Sequence, residues 1–197
     1  MAHYYDEIQD SELKITQFTI TLFGMEFAFN TAKGVFSQAG IDKGSLLLVE
    51  SAIIMDSWKV LDFGCGLGYV GIILAKRFSH AHVTMIDVNR RAVFLAQMNI
   101  KENRIKNAAS YFSNFFGHVQ GAFNTIVVNP PQVAGKKACF KIIEDSKGYL
   151  ADHGLLQLVA RHNKGGETLS KKMSDVFGNV REIAKKSGFR VYVSEKK

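Results

Sequence analysis

The sequence predicts an α/β domain: a mostly parallel seven-stranded sheet with an antiparallel edge strand, helices on both faces, and an N-terminal β-hairpin extension. Three observations carry this. From Lys59 onward, short apolar strands alternate with helical stretches, the pattern of a parallel sheet whose crossovers are helices. The first of those strands, Val60-Leu61-Asp62-Phe63, runs into a glycine cluster that opens a helix. The last two strands, Val180 to Ala184 and Phe189 to Val193, lie too close in sequence for a crossover, so they pair antiparallel at one edge.

Residues 1–50 read as an extension packed on a main domain of residues 51–197. Gln17 to Phe23 is rich in β-branched and aromatic residues, Gly24-Met25 can turn the chain, and Glu26 to Asn30 alternates polar with apolar, so residues 17–30 form a hairpin. Gly34-Val35-Phe36-Ser37 follows, then an apolar run from Leu46 to Met55 that fits helix or strand. Tyr69 to Phe78 has helical periodicity, with Val70, Ile73 and Leu74 inward. Val83 to Asp87 is the second strand, and Asn89 to Asn103 a longer helix with Asn89 as N-cap. A weak third strand surrounds Ala109 to Phe112, and Phe123 to Val128 is the fourth. Lys136 to Leu150 is a helix, Leu155 to Ala160 the fifth strand and Glu167 to Phe177 a further helix.

The chain has 197 residues, enough for one such domain with a real core. No apolar run approaches the roughly 20 residues of a membrane helix, and the N-terminus lacks signal-peptide character. A cytoplasmic protein is expected. Cys65 and Cys139 form neither a CxxC pair nor a disulfide framework. No acid or cysteine flanks His80 and His82 at ligand spacing, so no metal is expected. The net charge is +7, and residues 161–197 hold ten Lys or Arg against four Asp or Glu. That asymmetry suits a polyanion such as RNA, and equally a solvated surface.

Asp62-Phe63-Gly64-Cys65-Gly66-Leu67-Gly68 joins the first strand to its helix, where glycines allow a tight turn and close approach of a ligand. GxGxxG is met by Gly66 to Gly71, so a dinucleotide must be weighed. A carboxylate at Asp62 would repel a pyrophosphate and attract a cationic amino acid moiety, which favours S-adenosylmethionine. Asp87, 25 residues on and followed by Val88, can accept both ribose hydroxyl hydrogens of either cofactor. Ser113-Asn114 falls along the adenine edge in this topology; either side chain could bond the adenine amine, or cap a short turn. Asn129-Pro130-Pro131-Gln132 ends the fourth strand. Its prolines stiffen the backbone and remove two donors. What remains is an acceptor pair, the Asn129 oxygen and a main-chain carbonyl, able to hold both hydrogens of an NH₂ group. An in-line methyl transfer to that nitrogen needs mainly positioning.

Gly34-Val35-Phe36-Ser37, Leu61 to Gly66, Asp87, Ser113-Asn114 and Asn129-Pro130-Pro131 together resemble the methyltransferase small domain family, in particular RsmC-like ribosomal RNA guanine-N2 methyltransferases and their short single-domain archaeal relatives. The resemblance implies a class I, Rossmann-like methyltransferase fold with its last strand antiparallel. It implies that Asp62, Gly64, Cys65, Gly66, Asp87, Val88, Ser113 and Asn114 line an S-adenosylmethionine site, and that Asn129, Pro130 and Pro131 hold the target amine. It also implies an RNA substrate, ribosomal or transfer. Such enzymes commonly carry an aromatic residue after Asn-Pro-Pro; here it is Gln132, so Gln132 and Phe36 are the expected substrate contacts, with Phe36 or Phe140 stacking on the base. Glutamine-N5 or adenine-N6 methylation uses the same amine geometry. An NAD-dependent oxidoreductase and a non-catalytic RNA-binding module are the competing classes.

Overall fold

The computed structural model describes residues 6–9, 11–37, 40–131 and 135–197. An antiparallel ribbon comes first, β1 (Thr16–Leu22) and β2 (Met25–Thr31), paired from Thr16↔Thr31 to Leu22↔Met25. Its turn is Phe23-Gly24, one residue earlier than expected. Both residues have positive φ, 54° and 71°, the backbone that a two-residue hairpin loop requires to match strand twist.

The apolar run after Leu46 resolves as helix. Asp42 caps α1 (Lys43–Ser51) by accepting the N–H groups of Gly44 and Ser45. Then follow β3 (Lys59–Phe63), α2 (Tyr69–Arg77), β4 (His82–Asp87), α3 (Arg90–Glu102), β5 (Ala108–Phe112), β6 (Phe123–Val128), α4 (Lys136–Tyr149), β7 (Leu150–Arg161), α5 (Gly166–Phe177), β8 (Arg181–Lys186) and β9 (Phe189–Glu195). Asn89 caps α3, as its position before the helix predicts. β7 starts five residues earlier than expected, because Leu150 pairs with Phe123 before the ladder shifts register.

The sheet order is β5-β4-β3-β6-β7-β9-β8. Strands β3 to β7 run parallel, and β9 runs antiparallel to both neighbours, one place in from the edge. The chain winds outward from β3 to β5, then returns to β6 beside β3. This reversal opens a crevice at the carboxyl ends of β3 and β6, where ligands bind in such sheets. No helix among the described residues is long and apolar enough to cross a membrane.

Alternation along β3 sends Val60 to one face and Leu61 to the other. The first core holds Leu48 of α1, Ile72 of α2, Leu95 of α3 and Phe27 and Phe29 of the ribbon. The second holds Ile142 and Ile143 of α4 with Leu169, Met173 and Phe177 of α5. Two asparagines of α3 fasten the ribbon. Asn103 exchanges hydrogen bonds with both backbone groups of Ala28. The buried Asn99 accepts from the Asn30 N–H and donates to the Asn30 and Leu67 carbonyls. The helix thus offers β2 a row of side-chain amides in place of a third strand, satisfying its buried backbone.

Candidate active site

The carboxyl ends of β3, β4 and β5 are stitched into one rail. Gly64 and Cys65 both donate to the Ile86 carbonyl at 2.9 Å, and Ser113 donates to the Asp87 carbonyl at 3.0 Å. The Asp87 carboxylate closes the set, accepting from Gly66 N at 2.8 Å and Asn89 N at 2.8 Å. Burial pushes the Asp87 carboxyl up to about 6 against three lowering backbone donors.

Beside the rail lies a cavity of about 500 Å³, within the roughly 300–1,000 Å³ range of small-molecule sites. Gly64, Gly66, Asp87, Val88, Ser113, Asn114, Phe36, Asn129, Pro130 and Pro131 all reach its wall. Ideal Cβ atoms at Gly64 and Gly66 would meet nothing within 4 Å, so this backbone faces open space a ligand can enter. Phe63, Ile86 and Phe115 give the wall an apolar stretch. An acid able to take a diol, an apolar slot and an open glycine loop fit an adenosyl group with a cationic tail.

Asp62 and Cys65 do not reach this wall. Asp62 is 3% exposed, and its Oδ2 accepts from Gly71 N at 2.8 Å. Gly68, the N-cap of α2, has no side chain to cap with. Asp62 supplies the missing acceptor from the neighbouring strand, at the positive end of the helix. Burial is the main reason its carboxyl is pushed up to about 7, with Asp87 adding to the rise. Burial and the two carboxylates also hold the Cys65 thiol well above its ordinary value, an unreactive environment. Gly71 is needed because an added Cβ would sit 2.4 Å from Met85 Sδ.

The remaining predicted residues separate by what their polar atoms already do. Ser113 donates to the Phe115 carbonyl at 2.7 Å and accepts from His118 N at 3.2 Å, so its hydroxyl closes a turn. Asn114 is exposed on the cavity wall and is the one of the pair open to a ligand. The Gly34–Ser37 segment is pinned to the rail, its Gly34 carbonyl accepting from Asn89 Nδ2 at 2.8 Å and its Ser37 carbonyl from the Tyr69 hydroxyl at 3.2 Å. Phe36 stands at the mouth, 40% exposed. Phe140 does not line the cavity; the ammonium groups of Lys136 and Lys172 lie over its ring at 5.0 and 5.2 Å. Gln132 lies outside the described residues.

Asp42 also lines the cavity; in the sequence, Asp42-Lys43-Gly44-Ser45 before an apolar run signals only a helix start. Asn129 Nδ2 donates to Ser45 Oγ at 3.0 Å and to the Asp42 carboxylate at 3.3 and 3.4 Å. A carboxylate can only accept, so this contact fixes which end of the amide faces α1. The Pro131 carbonyl turns toward Cys139 Sγ, 3.9 Å away. Asn129, Pro130 and Pro131 all line the cavity, so the amide oxygen of Asn129 and a main-chain carbonyl of this loop are the acceptors on offer. Arg161, at the end of β7, and Phe189, at the start of β9, also line it; their strand-end positions gave no sequence signal for this. No group of three His, Cys, Asp or Glu suited to a metal occurs among the described residues.

Comparison with known proteins bears on the fold and the family. Residues 26–193 match the family model of the Methyltransferase small domain. "Uncharacterized protein YbxB" of Bacillus subtilis (strain 168) is 35% identical, over 98% of both chains. "Ribosomal RNA small subunit methyltransferase C" of Shewanella amazonensis (strain ATCC BAA-1098 / SB2B) is 30% identical over 93% of this chain and 53% of its own. Among solved structures, the T. Thermophilus 16S rRNA N2 G1207 methyltransferase (RsmC), in complex with AdoMet and guanosine, superposes with a TM-score of 0.81. It is 24% identical, with 95% of this chain and 52% of that one covered. The chain thus spans about half the length of these ribosomal RNA methyltransferases.

Proposed function

The chain belongs to the methyltransferase small domain family, whose methyl donor is S-adenosylmethionine, and we propose that it methylates an exocyclic amino group of an RNA base, guanine N2 in ribosomal or transfer RNA. One observation carries this: the open glycine loop with Asp87 and the acceptors at Asn129 and Pro130 share a single cavity. When bound, the donor supplies an activated methyl group on a cationic sulfur. Gly64, Gly66, Asp87, Val88 and Asn114 are the residues that would hold it, with Asp87 taking the ribose hydroxyls.

The protein's own work is positioning. Asn129 Oδ1 and the Pro130 carbonyl each accept one hydrogen of the target NH₂, which leaves the nitrogen lone pair directed along the remaining tetrahedral axis. Both acceptors are rigid, one through the prolines and the other through Asp42 and Ser45. As the nitrogen gains positive charge, its N–H groups become stronger donors, so the pair binds the transition state more tightly than the ground state, and one of the two protons then leaves to solvent to give the neutral methylamino group. Phe36 and Phe189 offer the aromatic surface that Asn-Pro-Pro-Gln lacks at its fourth position.

Incubation with methyl-labelled S-adenosylmethionine and total RNA, then digestion to nucleosides, tests the reading. Label is expected in N2-methylguanosine, and its rate of appearance should fall roughly 10²–10³-fold with Asn129→Ala. Label in N6-methyladenosine, or in protein alone, would overturn the guanine assignment.

A further inference from the structure

A second concavity opens beside the first, about 520 Å³ in volume. Arg161, His162, Lys164, Lys185, Lys186 and Arg190 line it, and no Asp or Glu does. Much of the C-terminal charge excess therefore gathers on one wall. Lys186 pairs with Glu50 at 3.3 Å and Arg190 with Glu182 at 2.6 Å, both surface pairs of modest worth. Lys185 makes no ion pair among the described residues, and Arg161 is exposed with its guanidinium 5.0 Å from the Phe189 ring centroid.

The position of this groove follows from strand direction. Arg161 ends β7 at the sheet edge where β3 and β6 also end. Because β9 runs backward, its first residue, Phe189, pairs with Arg161, and the β8–β9 turn arrives at the same edge. Arg161 and Phe189 consequently belong to both concavities. The basic groove is an extension of the cleft, with the Arg161 guanidinium over the Phe189 ring at the junction.

We propose that this groove binds the phosphodiester backbone of a single-stranded RNA segment, next to the nucleotide whose base occupies the cleft; this rests on the RNA reading above. A base can reach Asn129 only when unstacked from its neighbours. Its flanking phosphates must then lie at the cleft mouth, and the cationic surface sharing that mouth is this groove. Cations tracking a backbone, with an aromatic platform beside them, are what sequence-tolerant single-strand binding needs. Specificity for the base stays with the cleft, and the groove supplies affinity and register.

Fluorescence anisotropy of the full chain with a short labelled single-stranded RNA, titrated in potassium chloride, tests this. Lys164→Ala/Lys185→Ala removes two of the lining cations, one from the segment after β7 and one from β8, and Lys101→Ala/Lys106→Ala, where α3 ends and β5 begins, is the control. The groove variant should bind about tenfold more weakly, and its log–log salt slope should shrink by about 1.4, at roughly 0.7 per phosphate contact. S-adenosylmethionine affinity should stay within twofold. A groove variant with wild-type affinity and slope, or a control that loses as much, would overturn the groove while leaving the RNA reading intact. Wild-type protein that binds the cofactor but no RNA at low salt would overturn both.

Discussion

Asp42 and Asn129 stand 87 positions apart in sequence, yet the carboxylate of one receives the amide nitrogen of the other at 3.3 Å. The same carboxylate caps α1 through Gly44 and Ser45. A helix start and the reactive loop are therefore built on one side chain, and the amide oxygen of Asn129 is left for the cavity.

Asp42→Asn separates the two duties, since asparagine caps helices about as well as aspartate but can also donate. The Asn129 amide loses its fixed sense. Melting temperature should change little, cofactor affinity should hold, and kcat should fall about tenfold. Asn129→Ala should cost kcat roughly 10²–10³-fold, by analogy with removing one preorganised group from a charge-stabilising site. Titration calorimetry with S-adenosylmethionine and transfer of labelled methyl to RNA measure the two effects separately.

Cofactor affinity should rise with pH. The donor carries cationic sulfur and nitrogen, and its ribose hydroxyls need an ionised Asp87 to accept them. With the Asp87 carboxyl at about 6, only about a tenth is ionised one unit below. Affinity should drop about tenfold between pH 8 and pH 5, and Asp87→Asn should weaken binding and flatten the dependence. A pH-independent dissociation constant in the wild type would remove Asp87 from the site.

Asp62 governs the stability of the ligand-free protein in the opposite sense. Its carboxyl rises from an ordinary 3.8 to about 7 on folding, so the folded state holds the proton more tightly. The stability this gives is complete below the unfolded value and is lost as pH rises through about 7. Thermal unfolding at pH 5.5 and pH 8 should show it, with Asp62→Asn removing most of the difference while its amide oxygen still accepts from Gly71.

Gly71→Ala should destabilise the protein by about 1–3 kcal/mol, the usual cost of overpacking, because the new methyl meets Met85 Sδ and Cγ. Met85→Ala in the same chain should recover part of the loss, since the two changes share one space. Urea unfolding of the four proteins gives the coupling directly.

Asn99→Ala strips partners from the Asn30 N–H and the Leu67 carbonyl. Each buried group left unsatisfied costs about 1–3 kcal/mol. Hydrogen exchange at the Asn30 amide should accelerate more than at β3.

The alternation of strands and helices was legible because each period is short and local. So were most cavity-lining residues, since strand ends followed by Gly, Asp or Asn-Pro-Pro mark the reactive edge wherever the strands lie in the sheet. What escaped depends on the third dimension. Asp62 follows the expected motif, but the buried N–H of Gly71 draws its carboxylate away from the cavity wall. Asn99 and Gln157, both fully buried, carry no local sequence signal of their role. Yet Gln157 clamps both backbone groups of Ile53, 104 residues away. Arg161 and Phe189 meet only through the β7–β9 register.

The backward run of β9 also decides where the polypeptide leaves the domain. Its exit lies beside Gly154, whose carbonyl accepts from Lys196 N at 2.9 Å, at the end of the sheet remote from the cleft. An affinity handle or fluorophore fused after Lys197 therefore departs from the opposite pole, and immobilising the protein through it presents the reactive mouth outward to solution.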